Sequence, residues 1–190
     1  VCRELAARYP CVSYSRTEEH SDFAANYKRA VEGADGDYIW TFGDDDTLMP
    51  GAYRFMCETA KATKFDFYHV AEVSRVGSTE GLCGTVLGMS NMIGFIDFTG
   101  FISGNVSRTE KLKSAVVSPE WEIYSKSAYP QSLAVLDTMA EAPAMMLELG
   151  LVETGTPDAG LGEQWLKQDT CWKYLYVADG HHRTAAAATV

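Results

Sequence analysis

The chain lacks the cysteine spacing of a metal-binding or redox motif, and it lacks an apolar run long enough to span a membrane. Its five cysteines are odd in number and none forms a C-x-x-C pair. This pattern predicts reduced thiols in a cytoplasmic protein rather than a disulfide framework. A membrane-spanning helix needs at least about 18 consecutive apolar residues, and no stretch reaches that length. We therefore expect a cytoplasmic protein, either free or peripheral to the inner face of the membrane.

Basic residues are scarce. There are 16 of them against 26 acidic residues, which gives a formal net charge of -10. A nucleic-acid-binding protein needs a basic surface, so this balance argues against that class. A phosphorylated ligand would need a local basic group or a metal ion to offset the repulsion.

Hydrophobic residues are plentiful, at 46% of 190 residues, which is enough for the core of one domain. Up to residue 72, hydrophobic periodicity predicts alternating helices and strands. The predicted elements are a helix at 2–9, a strand at 11–15, a helix at 21–36, a strand at 37–43, a helix at 50–63 and a strand at 65–72. This order predicts an α/β sheet with right-handed crossovers, in which strands 37–43 and 65–71 are neighbours.

The remainder of the chain has a looser pattern. Frequent glycines between 73 and 107 indicate loops and short strands over a site. Beyond them the pattern predicts helices at 108–116 and 129–142, a strand at 144–154 and a long closing helix at 161–183. The final TAAAATV is typical of frayed helix or disorder.

Three consecutive aspartates, Asp44, Asp45 and Asp46, follow the apolar stretch YIWTF. In an open parallel sheet, ligands bind beyond the carboxyl ends of the strands, so we expect these side chains at that edge. Clustered carboxylates repel one another unless a cation compensates, and Mg²⁺ and Mn²⁺ prefer carboxylate oxygens. The alternative is that Asp46 or Thr47 caps a helix that starts near Pro50, with the other acids solvated.

The stretch DDDTL is close to D-x-D-x-T, the nucleophile motif of haloacid dehalogenase-like hydrolases. However, Thr47 lies three residues after Asp44, where that motif needs four. Starting one residue earlier places Gly43 at the nucleophile position. A phosphohydrolase of this type is kept as an alternative function, together with a non-catalytic carbohydrate- or metal-binding fragment.

A longer pattern, NYKRAVEGADGDYIWTFGDDDTLMPGAY at 26–53, resembles the family 2 glycosyltransferases, which have the GT-A fold. The shared features are Asn26, a helix ending in GADGDYI, an apolar strand, the acidic turn and Pro50. FISGNVSRTEKL at 101–112 is similar to the bacterial, abequosyltransferase-like branch that acts in surface polysaccharide assembly.

The resemblance implies a single GT-A-like domain over 1–190, with a mostly parallel sheet flanked by helices. Residues 1–72 would form its donor side, and 73–190 its acceptor side and closing helix. A GT-A domain opens with a strand and a further βα unit, so we expect this chain to be truncated at its N-terminus. The implied activity is hexosyltransferase-like: transfer of a sugar from a nucleotide-sugar to a saccharide or lipid-linked acceptor, with Mg²⁺ or Mn²⁺ as cofactor.

The resemblance also implies roles for individual residues. Asp45 and Asp46 would bind the metal, while Asn26 and Asp44 would contact the donor. In the family, the base that takes the acceptor proton is often an acid near a helix start after the acceptor loop, which here favours Glu122 over Glu120 and Asp137. The candidate acceptor-binding residues are Ser103, Asn105 and Trp121.

Overall fold

The structure, a computed structural model, describes residues 2–18, 21–72, 81–155, 174–179 and 185–189. Its helices are α1 (Cys2–Arg8), α2 (Phe23–Gly33), α3 (Ala52–Thr63), α4 (Val86–Ile93), α5 (Thr109–Val117), α6 (Trp121–Tyr124) and α7 (Pro130–Met139). Its strands are β1 (Val12–Arg16), β2 (Tyr38–Phe42), β3 (Thr47–Leu48), β4 (Phe67–Glu72), β5 (Leu82–Thr85), β6 (Asn105–Arg108), β7 (Pro143–Glu153), β8 (Tyr174–Asp179) and β9 (Ala185–Thr189). A π-helical turn, Ile96–Gly100, and a 3₁₀ turn, Ile102–Gly104, connect α4 to β6.

The described strands form one sheet in the order β1-β8-β9-β2-β6-β4-β7-β3, and β5 also pairs with β7. The pairs β1–β8 and β4–β7 are parallel. The other six pairs among the described residues are antiparallel. The prediction of a mostly parallel sheet was therefore wrong, although the α/β class was right.

The expected adjacency of strands 37–43 and 65–71 was also wrong. β6 lies between β2 and β4 and is antiparallel to both, with Val106 paired to Trp40 on one side and to Tyr68 on the other. β2 and β4 therefore run in the same direction, and their carboxyl ends lie at the same edge of the sheet.

Helices cover both faces of the sheet, and this explains the apolar runs in its strands. On one face, Ile39 of β2 and Phe67 of β4 pack in a core with α2, α5 and α7. On the other face, the next residues, Trp40 and Tyr68, pack in a core with α3. All five residues of β2 are buried. A continuous apolar run therefore predicts that a strand is buried on both faces, but it does not predict whether the neighbouring strand is parallel or antiparallel.

The first half of the chain matches its predicted elements closely. α2 starts where the Ser-Asp pair predicted a cap, because the side chain of Asp22 accepts a hydrogen bond from the Ala25 N–H at 2.8 Å. α3 ends at Thr63, and the next residue, Lys64, adopts a left-handed conformation with φ of 57°. α5 and β7 lie within one residue of their predicted positions, and α7 starts one residue after its predicted start and ends three residues before its predicted end.

The predictions for the C-terminal part of the chain were less accurate. The expected closing helix at 161–183 is contradicted over Tyr174–Asp179, which form β8. Its other residues, 161–173 and 180–183, lie outside the described residues. Most of the tail, expected to be frayed or disordered, forms β9, which pairs with β2 and β8. The glycine-rich segment also contains α4, a helix that the loop prediction missed. No described helix is long and apolar enough to cross a membrane.

Candidate active site

The carboxyl edge of the sheet gathers segments that are far apart in sequence. The turn after β2 carries the aspartates, and Glu72 ends β4. β6 runs in the opposite direction, so the segment that leads into it, with Ser103, lies at the same edge. β7 is parallel to β4 and delivers Thr154 and Gly155 there. Sheet topology alone therefore brings four chain segments to one place.

A cleft of about 540 Å³ opens at this edge. Asp45 and Asp46 form part of its wall, together with Gly43. Opposite elements contribute the first residues of two helices: Asp22 and Phe23 at α2, and Tyr129, Pro130 and Gln131 at α7. The cleft thus combines two carboxylates with two helix N-termini, whose partial positive charge favours anions.

Gly43 allows the two aspartates to fold back over the backbone. A Cβ placed on Gly43 would lie 3.0 Å from Asp45 Oδ1 and 3.1 Å from Asp46 Oδ2. It would also lie 3.4 Å from Ser103 Oγ. The absence of a side chain leaves a small cradle with an oxygen of each carboxylate on its border.

Ser103 supports this acidic turn from behind. Its Oγ accepts a hydrogen bond from the Gly43 N–H at 2.8 Å and donates one to Asp46 Oδ2 at 2.5 Å. Ser103 is completely buried, and its one hydroxyl proton is used on Asp46. In this arrangement it therefore cannot donate to a sugar, and acceptor binding by Ser103 stays a prediction.

The neighbouring Gly104 is required by close packing. A Cβ there would lie 2.8 Å from His69 Cε1 and 2.9 Å from both Phe101 Cδ1 and the Val70 carbonyl oxygen. Contacts this short do not occur in folded proteins, so a larger residue would displace the segment that carries Ser103.

Asp46 has a raised pKa. The chief cause is desolvation by burial, and the charges of Asp45 and Glu72 add to it. Hydrogen bonds from Ser103 and from the Gly155 backbone act in the opposite direction but do not cancel the effect. Asp46 is half-buried, and a half-buried carboxylate beside like charges is stabilised by a bound cation.

Asp46 does not cap the following helix. β3 intervenes, and the N-cap residue of α3 is Gly51, which has no side chain to accept a hydrogen bond. Pro50 precedes that cap and does not lie in the first turn. The structural alternative for Asp46, a helix cap, was therefore wrong.

The other predicted donor residues lie outside the wall of the cleft. Asp44 is exposed at the tip of the turn. Asn26 is buried in α2, where its Oδ1 accepts hydrogen bonds from Ser21 Oγ at 3.2 Å and from Arg29 Nη2. Asn26 thus ties α2 to the residues before it.

Two of the predicted acceptor residues have structural contacts. Asn105 is buried, and its Nδ2 donates to the Thr99 carbonyl oxygen at 2.7 Å, which holds the π-helical turn. Trp121 is 6% exposed and stacks on Tyr27, with ring centroids 6.0 Å apart. The ring of Trp121 is part of the core, and acceptor binding by Trp121 stays a prediction.

Glu122 lies on the surface of α6. Its side chain is 86% exposed, and its carboxylate is 3.9 Å from Lys126 Nζ. It does not belong to the wall of the cleft, whose carboxylates among the described residues are Asp22, Asp45 and Asp46. Glu122 therefore has no contact that would bring it to a substrate bound there.

Sequence reasoning missed several residues of the cleft. Gln131 is 4% exposed, and its Nε2 donates to the Gly100 carbonyl oxygen at 3.2 Å. Thr154 Oγ1 donates to Glu72 Oε1, and Thr154 lines the cleft. The Tyr-Pro pair at 129–130 marked the helix start that borders the cleft. No local signal could have joined Thr154 to Glu72, which lies 82 residues away.

Within the described part of the chain, no three or more His, Cys, Asp or Glu side chains group as metal ligands do. No curated protein matches the chain. Residues 1–81, which carry the acidic turn and β1 to β4, match the family model described as Glycosyl transferase family 2. The match covers 81 of the 190 residues, so this part of the chain is similar to the family 2 glycosyltransferases.

Proposed function

We propose that this protein transfers a sugar, of hexosyltransferase type, from a nucleotide-sugar donor to a saccharide or lipid-linked acceptor, and that the reaction depends on a divalent cation. The observation that carries the proposal is the position of Asp45 and Asp46. They border one cleft at the carboxyl edge of the sheet, within the segment that matches the family. A phosphohydrolase of haloacid dehalogenase type is less favoured, because the spacing of its motif is wrong here.

The residues present fit a cation. Asp45 Oδ1 and Asp46 Oδ2 both border the cradle left by Gly43, and carboxylate oxygens are the ligands that Mg²⁺ and Mn²⁺ prefer. Both ions commonly bind through one or two carboxylates and complete their shell with water and substrate phosphates, so two protein ligands suffice. When bound, the cation would offset the negative charge of the departing nucleoside diphosphate.

The rest of the cleft would orient the donor. The N-termini of α2 and α7 present partial positive charge, which favours an anionic diphosphate in a chain of net charge -10. Asp44, exposed on the same turn, could accept hydrogen bonds from ribose hydroxyls at the rim. Asn26 would act indirectly, by holding the start of α2.

We assign the base that takes the acceptor proton to Asp22. Glu122 is exposed on α6, whereas Asp22 lies in the wall of the cleft beside the first turn of α2. If Asp45 and Asp46 hold the cation, Asp22 is the remaining carboxylate among the described residues of that wall. Its Oδ1 accepts the Ala25 N–H, which fixes its orientation.

The finer assignment is a bacterial enzyme of surface polysaccharide assembly, in the abequosyltransferase-like branch. It is supported by the segment FISGNVSRTEKL, whose Ser103 braces the acidic turn. Such an enzyme would work in the cytoplasm or at the inner face of the membrane.

The experiment is to incubate the protein with a panel of nucleotide-sugars and Mn²⁺, with and without a saccharide acceptor. Release of nucleoside diphosphate and a product heavier than the acceptor by one sugar, both abolished by chelator, would support the proposal. Hydrolysis of simple phosphate esters without sugar transfer would support the phosphohydrolase. Binding of sugar or metal with no turnover would support the non-catalytic fragment.

A further inference from the structure

A second cleft adjoins the first. Its volume is about 550 Å³, and it shares Gly100, Phe101 and Tyr129 with the first cleft. A hydrogen bond also links the two. Glu72, in the wall of the second cleft, accepts from the hydroxyl of Thr154, in the wall of the first. A ligand in one cleft would therefore be next to a ligand in the other.

The wall of the second cleft combines three kinds of side chain. His69, Glu72 and Asp97 supply polar groups, and Phe101 and Tyr129 supply aromatic rings. The apolar remainder comprises Ala71, Ile93, Ile96 and Met146. Carboxylates accept hydrogen bonds from hydroxyl groups, and aromatic rings pack against apolar C–H surfaces. A sugar ring offers both hydroxyl groups around its edge and C–H groups on its face.

The charge of this wall restricts the ligand. Two carboxylates, in a chain of net charge -10, disfavour phosphates and sugar acids. They also disfavour a hydrocarbon chain that extends over them, because a carboxylate covered by hydrocarbon loses its hydration without gaining a hydrogen bond. A neutral sugar carries no negative charge, and its hydroxyl groups can replace the water that hydrates the carboxylates.

We propose that the second cleft binds a neutral sugar unit of the acceptor, adjacent to the unit that carries the attacked hydroxyl. This inference rests on the proposed function, and it deepens that proposal by naming the acceptor class. The acceptor is a saccharide of at least two units, and the unit in the second cleft carries no charge.

The variant Ile96→Arg tests the second cleft. Ile96 lies in its wall but not in that of the first cleft, and it is 50% exposed, so the substitution should not disrupt the core. The guanidinium would take up space and pair with the carboxylates there. The matched control is Ile123→Arg, at an isoleucine that is 70% exposed and lies in neither wall.

The kinetic measurement compares disaccharide with monosaccharide acceptors, using methyl lactoside, maltoside and mannobioside against methyl galactoside, glucoside and mannoside. We expect the native protein to have a higher kcat/KM for a disaccharide than for a monosaccharide. Ile96→Arg should reduce the ratio of these two kcat/KM values about tenfold, as the loss of one hydrogen bond to a carboxylate would. Ile123→Arg should leave the ratio as it is. An unchanged ratio in Ile96→Arg, or equal losses in the control, would overturn the inference.

A binding measurement separates this inference from the proposed function. Saturation-transfer NMR detects the methyl disaccharides on the protein without a donor. Binding that Ile96→Arg weakens and Ile123→Arg does not would support a saccharide site, even if no nucleotide-sugar is turned over. Octyl glucoside is the lipid-like probe. Its affinity is compared with that of methyl glucoside and of the methyl disaccharides. If the octyl chain increases the affinity, a second sugar does not, and Ile96→Arg removes the increase, then the cleft binds hydrocarbon and the inference is wrong.

Discussion

The hydroxyl of Ser103 donates a hydrogen bond to the carboxylate of Asp46, 57 residues away in the sequence. The same oxygen accepts from the backbone N–H of Gly43, so one buried side chain fixes both ends of the acidic turn. The turn is thus held from within the protein and does not depend on a ligand for its position.

Ser103→Ala should destabilise the protein, because it leaves the Gly43 N–H and the Asp46 carboxylate without their shared partner. A buried group left unsatisfied costs roughly 1 to 3 kcal/mol in the free energy of unfolding. Urea unfolding of the variant measures this change. The control is Ser114→Ala, on the exposed side of α5, where the serine only bonds the Lys111 carbonyl of its own helix. Unchanged stability with a raised KM for the acceptor would instead indicate that Ser103 binds the sugar.

Asp46→Asn should stabilise the metal-free protein at neutral pH. A carboxyl group whose pKa is raised on folding favours the folded state while it is protonated, and that contribution is lost as the pH rises through its folded pKa. The gain in melting temperature of Asp46→Asn should therefore grow from pH 4 towards pH 7. Thermal unfolding in chelator checks this, with the exposed Asp44→Asn as control. A gain that shrinks as the pH rises would contradict the burial of Asp46.

Gly43→Ala should weaken cation binding more than it weakens the fold. The added Cβ would meet Asp45 Oδ1 at 3.0 Å and Asp46 Oδ2 at 3.1 Å. Asp45 is exposed and its carboxylate can swing away at little cost, whereas Asp46, which Ser103 holds, must shift by a few tenths of an ångström. We expect the affinity for Mn²⁺ to fall about tenfold, which is typical of losing one charge-assisted contact. Titration of Mn²⁺ followed by electron paramagnetic resonance measures the free ion. Native affinity in this variant would show that the cradle at Gly43 is not the cation site.

Asp22→Asn should abolish most of the transfer without loss of stability. Asparagine caps helices about as well as aspartate, so α2 should keep its start, but an amide cannot take a proton. General-base catalysis contributes roughly 10²- to 10⁴-fold, and kcat should fall by a factor in that range. The comparison variant is Glu122→Gln, which we expect to retain native kcat. Reversed results for the two variants would return the base to Glu122.

Some of the fold could be predicted from the sequence because its signals are local. The N-cap at Asp22 and the burial of every residue in Tyr38–Phe42 followed from short patterns. Strand order did not, because β6, which separates β2 from β4, comes more than thirty residues after β4 in the chain. Two-sided burial gives the same apolar run whether the neighbour is parallel or antiparallel, so the pattern could not distinguish them.

For the candidate site too, local signals predicted some residues, whereas residues that depend on distant partners could not be predicted. Three adjacent aspartates after a strand are a local signal, and Asp45 and Asp46 do line the cleft. The roles of Ser103 and Trp121 depend on partners that the sequence does not reveal. Ser103 meets Asp46 only through the sheet, and Trp121 is buried against Tyr27 by the packing of α6 on α2.

We propose that Asp45 and Asp46 hold a divalent cation that allows a diphosphate to bind. Calorimetric titration of a nucleoside diphosphate with Mn²⁺ is the direct test, on the native protein, Asp45→Asn, Asp46→Asn and the control Asp35→Asn, at an exposed aspartate that lies in neither cleft. We expect Asp45→Asn and Asp46→Asn each to weaken binding by roughly ten- to a hundredfold, Asp35→Asn to leave it unchanged, and chelator to abolish it. Equal affinity in the native protein and in both variants, or binding that is indifferent to chelator, would contradict it.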